Sequence, residues 1–215
     1  MTSRGVALRH YCLACLLLML LAGAGLADPP AMLQFMKARD QRAWQPTPRR
    51  VLAFYYTWYG PVEQNGSGRH WGRVNATARD IEASRDYPVG GAYNSMAPAV
   101  IDRHIHEAKA CGIDAFICTW WGQGTYDDQA FALVLDRAAA QDFHATIYWE
   151  TAPHQGEEQL RQAARDLLYV LNRYASHPAF LKIDGKPVIF VYGRVMGQMP
   201  PGAWPALITE VEQRY

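Results

Sequence analysis

The chain has 215 residues, of which 50% are apolar and 12% aromatic, and its formal net charge is +1. These values are typical of a packed globular protein and exclude a disordered chain. The near-neutral balance also argues against a nucleic acid or an anionic membrane as partner.

The first 27 residues have the pattern of an export signal. Arg4 and Arg9 precede an apolar run over residues 11–21, and residues 25–27 offer the small side chains of a cleavage site. The apolar run is shorter than the roughly 20 residues that a membrane-spanning helix needs. We therefore predict a signal peptide at 1–27, a secreted or periplasmic protein, and no stable membrane association after cleavage.

Residues 28–50 differ in composition from the rest of the chain. They include Pro29, Pro30, Pro46 and Pro48, and this density of proline predicts a linker or a loosely packed lead-in.

From Val51 onward, strand-like and helix-like segments alternate. Runs rich in β-branched and aromatic residues, bounded by Gly and Pro, predict strands at 51–59, 113–121, 144–150 and 187–192. Apolar residues three and four apart predict a helix after each strand. The first begins near a Ser95 cap with Pro98 in its first turn, and the others cover 128–141, 157–174 and 204–215.

This alternation predicts an α/β fold with a parallel sheet. An open doubly wound sheet and a (β/α)8 barrel both fit, but the doubly wound fold usually has a glycine-rich phosphate loop after its first strand. Bulky aromatics occupy that place here, so the TIM-type barrel is favoured. Because such a barrel typically has about 250 residues, we expect residues 51–215 to be its N-terminal half, the first four βα units, and the sequence to be a fragment.

The cysteines and acidic residues do not predict a metal site. Cys111 and Cys118 lie outside the signal at a spacing awkward for a disulfide, so we expect two buried free thiols. Four potential metal ligands fall within one predicted helix: Asp102, His104, His106 and Glu107. Because their side chains point to different faces of the helix, we interpret them as part of a solvated helix face. We predict no metal and no cofactor.

The candidate site lies where the predicted strands end, because barrel active sites form at the C-terminal ends of strands. That rule selects Trp58, Tyr59, Trp120, Trp121, Trp149, Glu150, Tyr192 and Arg194. Aromatic faces stack on the apolar faces of sugar rings, and carboxylates bind sugar hydroxyls. The predicted ligand is therefore an oligo- or polysaccharide, although each aromatic could instead cap the barrel core.

Acidic residues near these ends differ in their context. Glu150 directly follows an apolar run, where a carboxylate is not expected for stability, so we interpret it as functional. Asp127 and Asp128 lie near a predicted helix start and are interpreted as helix caps.

Six ordered segments together resemble glycoside hydrolase family 99, the endo-α-mannosidase family. They are FYYTWYG at 54–60, RHW at 69–71, YP-x-x-GAYNSMAP at 87–98, GIDAFICTWWG at 112–122, IYWET at 147–151 and the stretch at 173–193. The resemblance implies a (β/α)8 barrel that hydrolyses α-mannosidic bonds inside a glycan, with retention of configuration and without a metal.

By motif match, the resemblance also implies which residues line the sugar subsites: Tyr55, Tyr56, Trp58, Tyr59, His70, Trp71, Trp120, Trp121 and Glu150. The family's acid/base pair lies in an Asn-Glu-Trp-His-Glu motif that these 215 residues lack. The family also has Ile-Glu-Pro-Tyr where this chain has Tyr148-Trp149-Glu150-Thr151.

Hydrolysis of a glycosidic bond needs two carboxyl groups about 5–10 Å apart, and Glu150 has no evident partner at another strand end. We therefore predict no catalytic residue within this chain. We expect the chain to be the sugar-binding half of a secreted glycoside hydrolase. Two alternatives remain: a non-catalytic secreted glycan-binding protein, and a barrel hydrolase that acts on another polysaccharide.

Overall fold

The computed structural model describes residues 33, 34, 37 and 49–215. The predicted signal peptide (1–27) and nearly all of the predicted lead-in (28–50) lie outside the described residues. The chain divides into two compact units at Arg49 and Arg50, and the second of them, Arg50–Tyr215, contains the central sheet.

Nine strands and five helices make up the described part of this unit. The strands are β1 Leu52–Tyr55, β2 Ser67–Gly68, β3 Gly72–Asn75, β4 Asp80–Ile81, β5 Ala115–Trp120, β6 His144–Trp149, β7 Lys182–Ile183, β8 Lys186–Pro187 and β9 Phe190–Val191. The helices are α1 Pro98–Ala110, α2 Tyr126–Ala139, α3 Gly156–Tyr174, α4 Gly193–Gln198 and α5 Ala203–Arg214.

A parallel sheet of four strands, in the order β1-β5-β6-β9, forms the centre. Leu52 pairs with Ala115, Ala115 with His144, and Tyr148 with Phe190. The strand order follows the chain order, as in a sheet that curls into a barrel. The predicted α/β class with a parallel sheet is confirmed, while the count of four βα units stays a prediction.

Strand alternation decides which side chains meet the helices. On β5, Phe116, Cys118 and Trp120 belong to the buried core, as do Ala145, Ile147 and Trp149 on β6. They pack with apolar residues of the helices, among them Ile101, Ile105, Phe131 and Val134. The intervening residues of each strand therefore face the other side of the sheet.

The starts of two helices differ from the prediction. Pro98 does open α1, but its N-cap is Ala97, and Ser95 is buried with a hydroxyl that lacks a hydrogen-bond partner. Ser95 lies too far before the helix to cap it. Helix α2 begins two residues earlier than predicted because the Thr125 hydroxyl accepts a hydrogen bond from the Asp128 amide.

Short strands account for the other differences. The predicted loop after β1 contains a three-stranded antiparallel sheet, β2-β3-β4. The predicted strand 187–192 is divided: Pro187 belongs to an antiparallel hairpin with β7, and only Phe190–Val191 joins the central sheet. The hairpin turns at Asp184 and Gly185, whose φ angles are 51° and 76°.

The predictions for cysteines and the helix face need two corrections. Both cysteines are free, but only Cys118 is buried, because Cys111 lies at the exposed C-terminal end of α1. Asp102 pairs with Arg137, and the Nδ1 atom of His104 lies 2.9 Å from the Tyr55 hydroxyl, so these two side chains are not merely solvated.

The described residues contain neither a metal-binding cluster nor a membrane span. Within them, no group of three or more His, Cys, Asp or Glu side chains could hold a metal ion. None of the helices in this part of the chain combines the length and apolar character required to span a membrane.

Candidate functional site

A cavity of about 230 Å³ lies at the C-terminal ends of the central strands. Six aromatic residues and two charged residues line it: Phe54, Tyr56, Trp58, Trp121, Tyr148, Glu150, Tyr192 and Arg194. We call it the Glu150 cavity.

The alternation of side chains explains this lining. Since Tyr55, Trp120 and Trp149 face the helices, their neighbours Tyr56, Trp121 and Glu150 face the opposite side. Parallel strands bring these ends together at one edge of the sheet. The cavity is thus formed by the residues of each strand that face away from the helices.

The aromatic rings of the lining pack against one another in two groups. The ring centroids of Phe54 and Tyr148 are 4.8 Å apart, and those of Tyr148 and Tyr192 are 5.3 Å apart. Tyr56 stacks on Trp58 at 4.7 Å. Such a lining offers several faces on which a sugar ring can stack.

Glu150 is the buried carboxylate of this cavity, with only 4% of its surface exposed. The Thr119 hydroxyl donates a hydrogen bond to Glu150 Oε1. The same hydroxyl oxygen accepts from the indole Nε1 of Trp121 at 3.2 Å. A polar chain therefore links the stacking surface of Trp121 to the carboxylate, and it holds both in place for a ligand.

Arg194 supplies the opposite charge at the rim. Its guanidinium lies 4.9 Å from the Trp121 ring centroid and 5.6 Å from that of Tyr192. Cation–π contacts of this kind hold a guanidinium in a defined place. The cavity thus combines a carboxylate that accepts hydrogen bonds and a guanidinium that donates them with an aromatic lining that includes three tyrosines, as polyhydroxylated rings require.

A second cavity, of about 280 Å³, shares Trp58 and Trp121 with the first. Its full lining is Trp58, Arg69, His70, Trp121, Thr125 and Asp127. We call it the Asp127 cavity. The His70 ring stacks on Trp58 at 4.9 Å, and desolvation, followed by the charge of Arg69, lowers the pKa of His70. A neutral imidazole at this wall can both donate and accept hydrogen bonds.

Five of the nine residues predicted to bind sugar line these cavities: Tyr56, Trp58, His70, Trp121 and Glu150. The other four do not contribute to either lining. Tyr55 stacks on Phe116 at 4.3 Å, and Tyr59 stacks on Trp71 at 4.0 Å. Trp71 and Trp120 are buried.

The indoles of these two buried tryptophans have protein partners. Trp71 Nε1 donates to the Tyr93 carbonyl at 2.8 Å, and Trp120 Nε1 donates to Asp128 at 2.9 Å. Together with the stacking of Tyr55 and Tyr59, these contacts place the four residues in the packing that surrounds the cavities.

Asp127 and Asp128 are not the caps that the sequence predicts, because Thr125 caps α2. Asp128 accepts hydrogen bonds from Trp120 Nε1, the Gly124 amide and the hydroxyls of Tyr169 and Tyr174. The buried carboxylate of Asp128 therefore holds the loop that connects β5 to α2 in place.

Asp127 has the opposite character. It is 3% exposed, and its Oδ1 atom is buried without a hydrogen-bond partner. Burial raises the pKa of Asp127 to about 6, partly opposed by the charge of Arg69.

Sequence reasoning also missed Phe54, Thr119 and Arg69 as site residues. Phe54 lies two residues before Tyr56, and Thr119 two residues before Trp121, so strict alternation would have found both. Arg69 carried no comparable signal, because its place depends on the antiparallel strands after β1.

Comparisons with known proteins show to which family the chain belongs. The family model of glycosyl hydrolase family 99 matches residues 47–214. A glycoprotein endo-alpha-1,2-mannosidase from Xenopus laevis is 25% identical over 197 residues, which cover 79% of this chain and 43% of the relative. The Mus musculus enzyme of that name is also 25% identical, over 88% of this chain and 45% of the relative.

Among solved structures, the GH99 endo-alpha-mannosidase from Bacteroides thetaiotaomicron is similar at 28% identity, with a TM-score of 0.58. The match covers 68% of this chain and 46% of that one. This chain thus spans less than half the length of the relatives it matches. Because the family model extends over most of the sequence, the chain belongs to glycosyl hydrolase family 99.

Proposed function

We propose that this protein is an exported glycoside hydrolase that cleaves internal α-mannosidic bonds of a glycan with retention of configuration. The observation that carries the proposal is the Glu150 cavity, in which a buried carboxylate lies among aromatic faces at the strand ends. The names of the related endo-mannosidases support a mannose-containing substrate. Export is supported by the basic and apolar pattern of residues 1–27.

In this proposal, the described residues bind and orient the sugar. A pyranose ring stacks on Trp58 or Trp121, Glu150 accepts hydrogen bonds from its hydroxyls, and Arg194 donates to them. Hydrolysis needs two carboxyl groups across the scissile bond, and Glu150 is the single carboxylate that lines its cavity. The acid/base pair is therefore assigned to residues other than those of the Glu150 cavity.

The single carboxylate also favours a second candidate, a secreted glycan-binding protein without catalytic activity. It would use the same aromatic lining and the same Glu150 contact. The two candidates differ in turnover and not in binding.

The test combines calorimetry on this chain with product analysis on a longer protein that also contains the acid/base pair of the family. We expect α-linked manno-oligosaccharides to bind, and we expect NMR to detect a reducing end that first appears as the α anomer. Binding without product would favour the glycan-binding protein, and a preference for xylans or glucans would replace the mannoside assignment. N-terminal sequencing of the exported protein checks cleavage after residue 27.

Glu150→Gln tests the proposed contact. Because the amide keeps the size of the side chain but loses the charge, affinity should fall about tenfold or more while the protein stays folded. The control is Glu157→Gln, an exposed carboxylate in the first turn of α3, which should bind as the wild type does. Unchanged affinity in Glu150→Gln would remove Glu150 from the site.

A further inference from the structure

Two glutamine side chains join the segment after Glu150 to helix α4. Gln198 Oε1 accepts a hydrogen bond from the Ala152 amide at 2.8 Å. Gln159 Nε2 donates to the Ala152 carbonyl at 2.7 Å and to the Gln198 carbonyl at 3.1 Å. We call Gln159 and Gln198 the glutamine clamp, because together they bind both backbone polar groups of Ala152.

The glutamine clamp holds backbone that belongs to neither a strand nor a helix. Ala152 lies between the end of β6 at Trp149 and the start of α3 at Gly156, and both Ala152 and Gln159 are buried. Buried peptide groups outside regular structure need side-chain or water partners, and a glutamine amide supplies both a donor and an acceptor. The position of the segment that follows Glu150 therefore depends on α3 and α4.

Helix α4 contains the other charged residue of the Glu150 cavity. Arg194 is the second residue of this helix and Gln198 is its last, so the two are about one helical turn apart and lie on the same side. Val195 and Met199 belong to the buried core and pack this part of the chain against it. A contact that fixes Gln198 therefore also fixes the backbone of Arg194.

A backbone contact joins the same two segments on the other side of the charged residues. The Tyr192 amide donates to the Trp149 carbonyl at 2.9 Å. Trp149 directly precedes Glu150, and Tyr192 lies two residues before Arg194. Among the residues that the structure describes, no salt bridge joins Glu150 to Arg194, so the distance between them is set by this backbone contact and by the glutamine clamp.

We propose that Gln159 and Gln198 are positioning residues for sugar binding, which hold the Arg194 guanidinium at the distance from Glu150 that lets one sugar contact both. The inference rests on the proposed function, because it concerns the ligand of the Glu150 cavity. Neither glutamine lines that cavity, so both act through the elements that they join. A clamp that served stability alone would leave the affinity of the folded protein unchanged.

Gln198→Met tests the clamp, because methionine keeps the length of the side chain but removes the acceptor of the Ala152 amide. Calorimetry on this chain with α-linked mannobiose should show an affinity about fivefold below that of the wild type. Gln198→Glu keeps an oxygen that can accept from Ala152, so it should restore the affinity. The control is Gln213→Met, at an exposed position of α5, which should bind as the wild type does.

An Arg194→Ala background separates positioning from a general loosening of the fold. If the glutamine clamp acts by placing Arg194, Gln198→Met should lower the affinity by about twofold at most in that background. Gln159→Met removes the donor to both carbonyls and should give the same pattern. It serves if Gln198→Met does not fold, which circular dichroism establishes.

Wild-type affinity in the folded methionine variants would overturn the positioning role while leaving the proposed function standing. Equal losses with and without Arg194 would do the same, because the effect would then not pass through Arg194. If both methionine variants unfold, the glutamine clamp serves the fold and the positioning role is wrong. If the wild type does not bind mannobiose, both the positioning role and the proposed function are wrong.

Discussion

Glu150 is held by its neighbours and not by its own strand alone. The Thr119 hydroxyl donates to it and at the same time accepts from Trp121. Thr119 thus orients a carboxylate and a stacking surface together, although its hydroxyl is buried and its own contact with a ligand is not required. A single hydroxyl on β5 couples the polar and apolar parts of the Glu150 cavity.

Thr119→Val tests this coupling. Valine keeps the shape but removes the hydroxyl, so Glu150 loses a donor and Trp121 loses an acceptor. We expect sugar affinity to fall about five- to tenfold and the free energy of unfolding to fall by about 1–3 kcal/mol. Calorimetry and urea unfolding measure the two effects. Thr119→Ser retains the hydroxyl and should restore affinity, whereas wild-type affinity in Thr119→Val would show that the hydroxyl does not orient the site.

At the scale of elements, the periodicity of the sequence predicted most of the central sheet and its helices. The apolar runs of β5 and β6 and the helical spacing of Ile101, Ile105 and Ala108 all correspond to observed elements. The strands β2, β3, β4 and β7 were missed because such short strands depend on distant partners and carry no repeating pattern. Pairing such as Ser67 with Arg73 is set by packing after β1.

Only part of the candidate site was predicted, because residues at the strand ends were selected without regard to the face of the sheet on which each lies. Both members of the pairs Tyr55 and Tyr56, and Trp120 and Trp121, were selected, but alternation sends one of each pair to the helices. The alternating position of a residue along its strand therefore indicates whether it faces the cavity or the helices, and composition alone does not. Asp127 could not be assigned from sequence, because its role depends on Thr125 having taken the cap.

The adjacent tryptophans of β5 give a direct test of this alternation. Trp120 is fully buried, so Trp120→Ala should lower the free energy of unfolding by about 3–5 kcal/mol. Trp121 lines both cavities, so Trp121→Ala should change it by about 1 kcal/mol and lower sugar affinity at least tenfold. Guanidinium unfolding and calorimetry distinguish the two. A stable Trp120→Ala variant, or an unchanged affinity in Trp121→Ala, would contradict this assignment of faces.

At the scale of the whole molecule, two buried carboxyls bind protons more tightly in the folded state. Burial raises the pKa of Asp127 to about 6 despite Arg69, and that of Asp166 to about 6 despite the hydrogen bond from Gln162. Since the unfolded chain holds fewer protons between pH 4 and pH 6, these groups make stability fall as pH rises through that window. Glu150 adds to the shift of Asp127, and Arg165 and His154 oppose that of Asp166.

The histidines change the stability with pH in the opposite direction. The contribution of the carboxyls must therefore be measured as the difference in the free energy of unfolding between a variant and the wild type. Burial lowers the pKa values of His70, His104 and His144. The unfolded chain therefore holds more protons as pH approaches 6.5 from below, and stability rises with pH there. A variant that retains these histidines cancels their contribution against the wild type.

The double variant Asp127→Asn with Asp166→Asn isolates the carboxyls. Asparagine stays neutral and can still accept from Gln162, so the variant should match the wild type near pH 4 and exceed its free energy of unfolding by about 2–4 kcal/mol at pH 7.5. Urea unfolding from pH 4 to pH 8 measures the gap, with the exposed Asp80→Asn as control. A difference in the free energy of unfolding that stays constant with pH would mean that neither carboxyl titrates near pH 6. The effect of the two substitutions on stability would then come from packing.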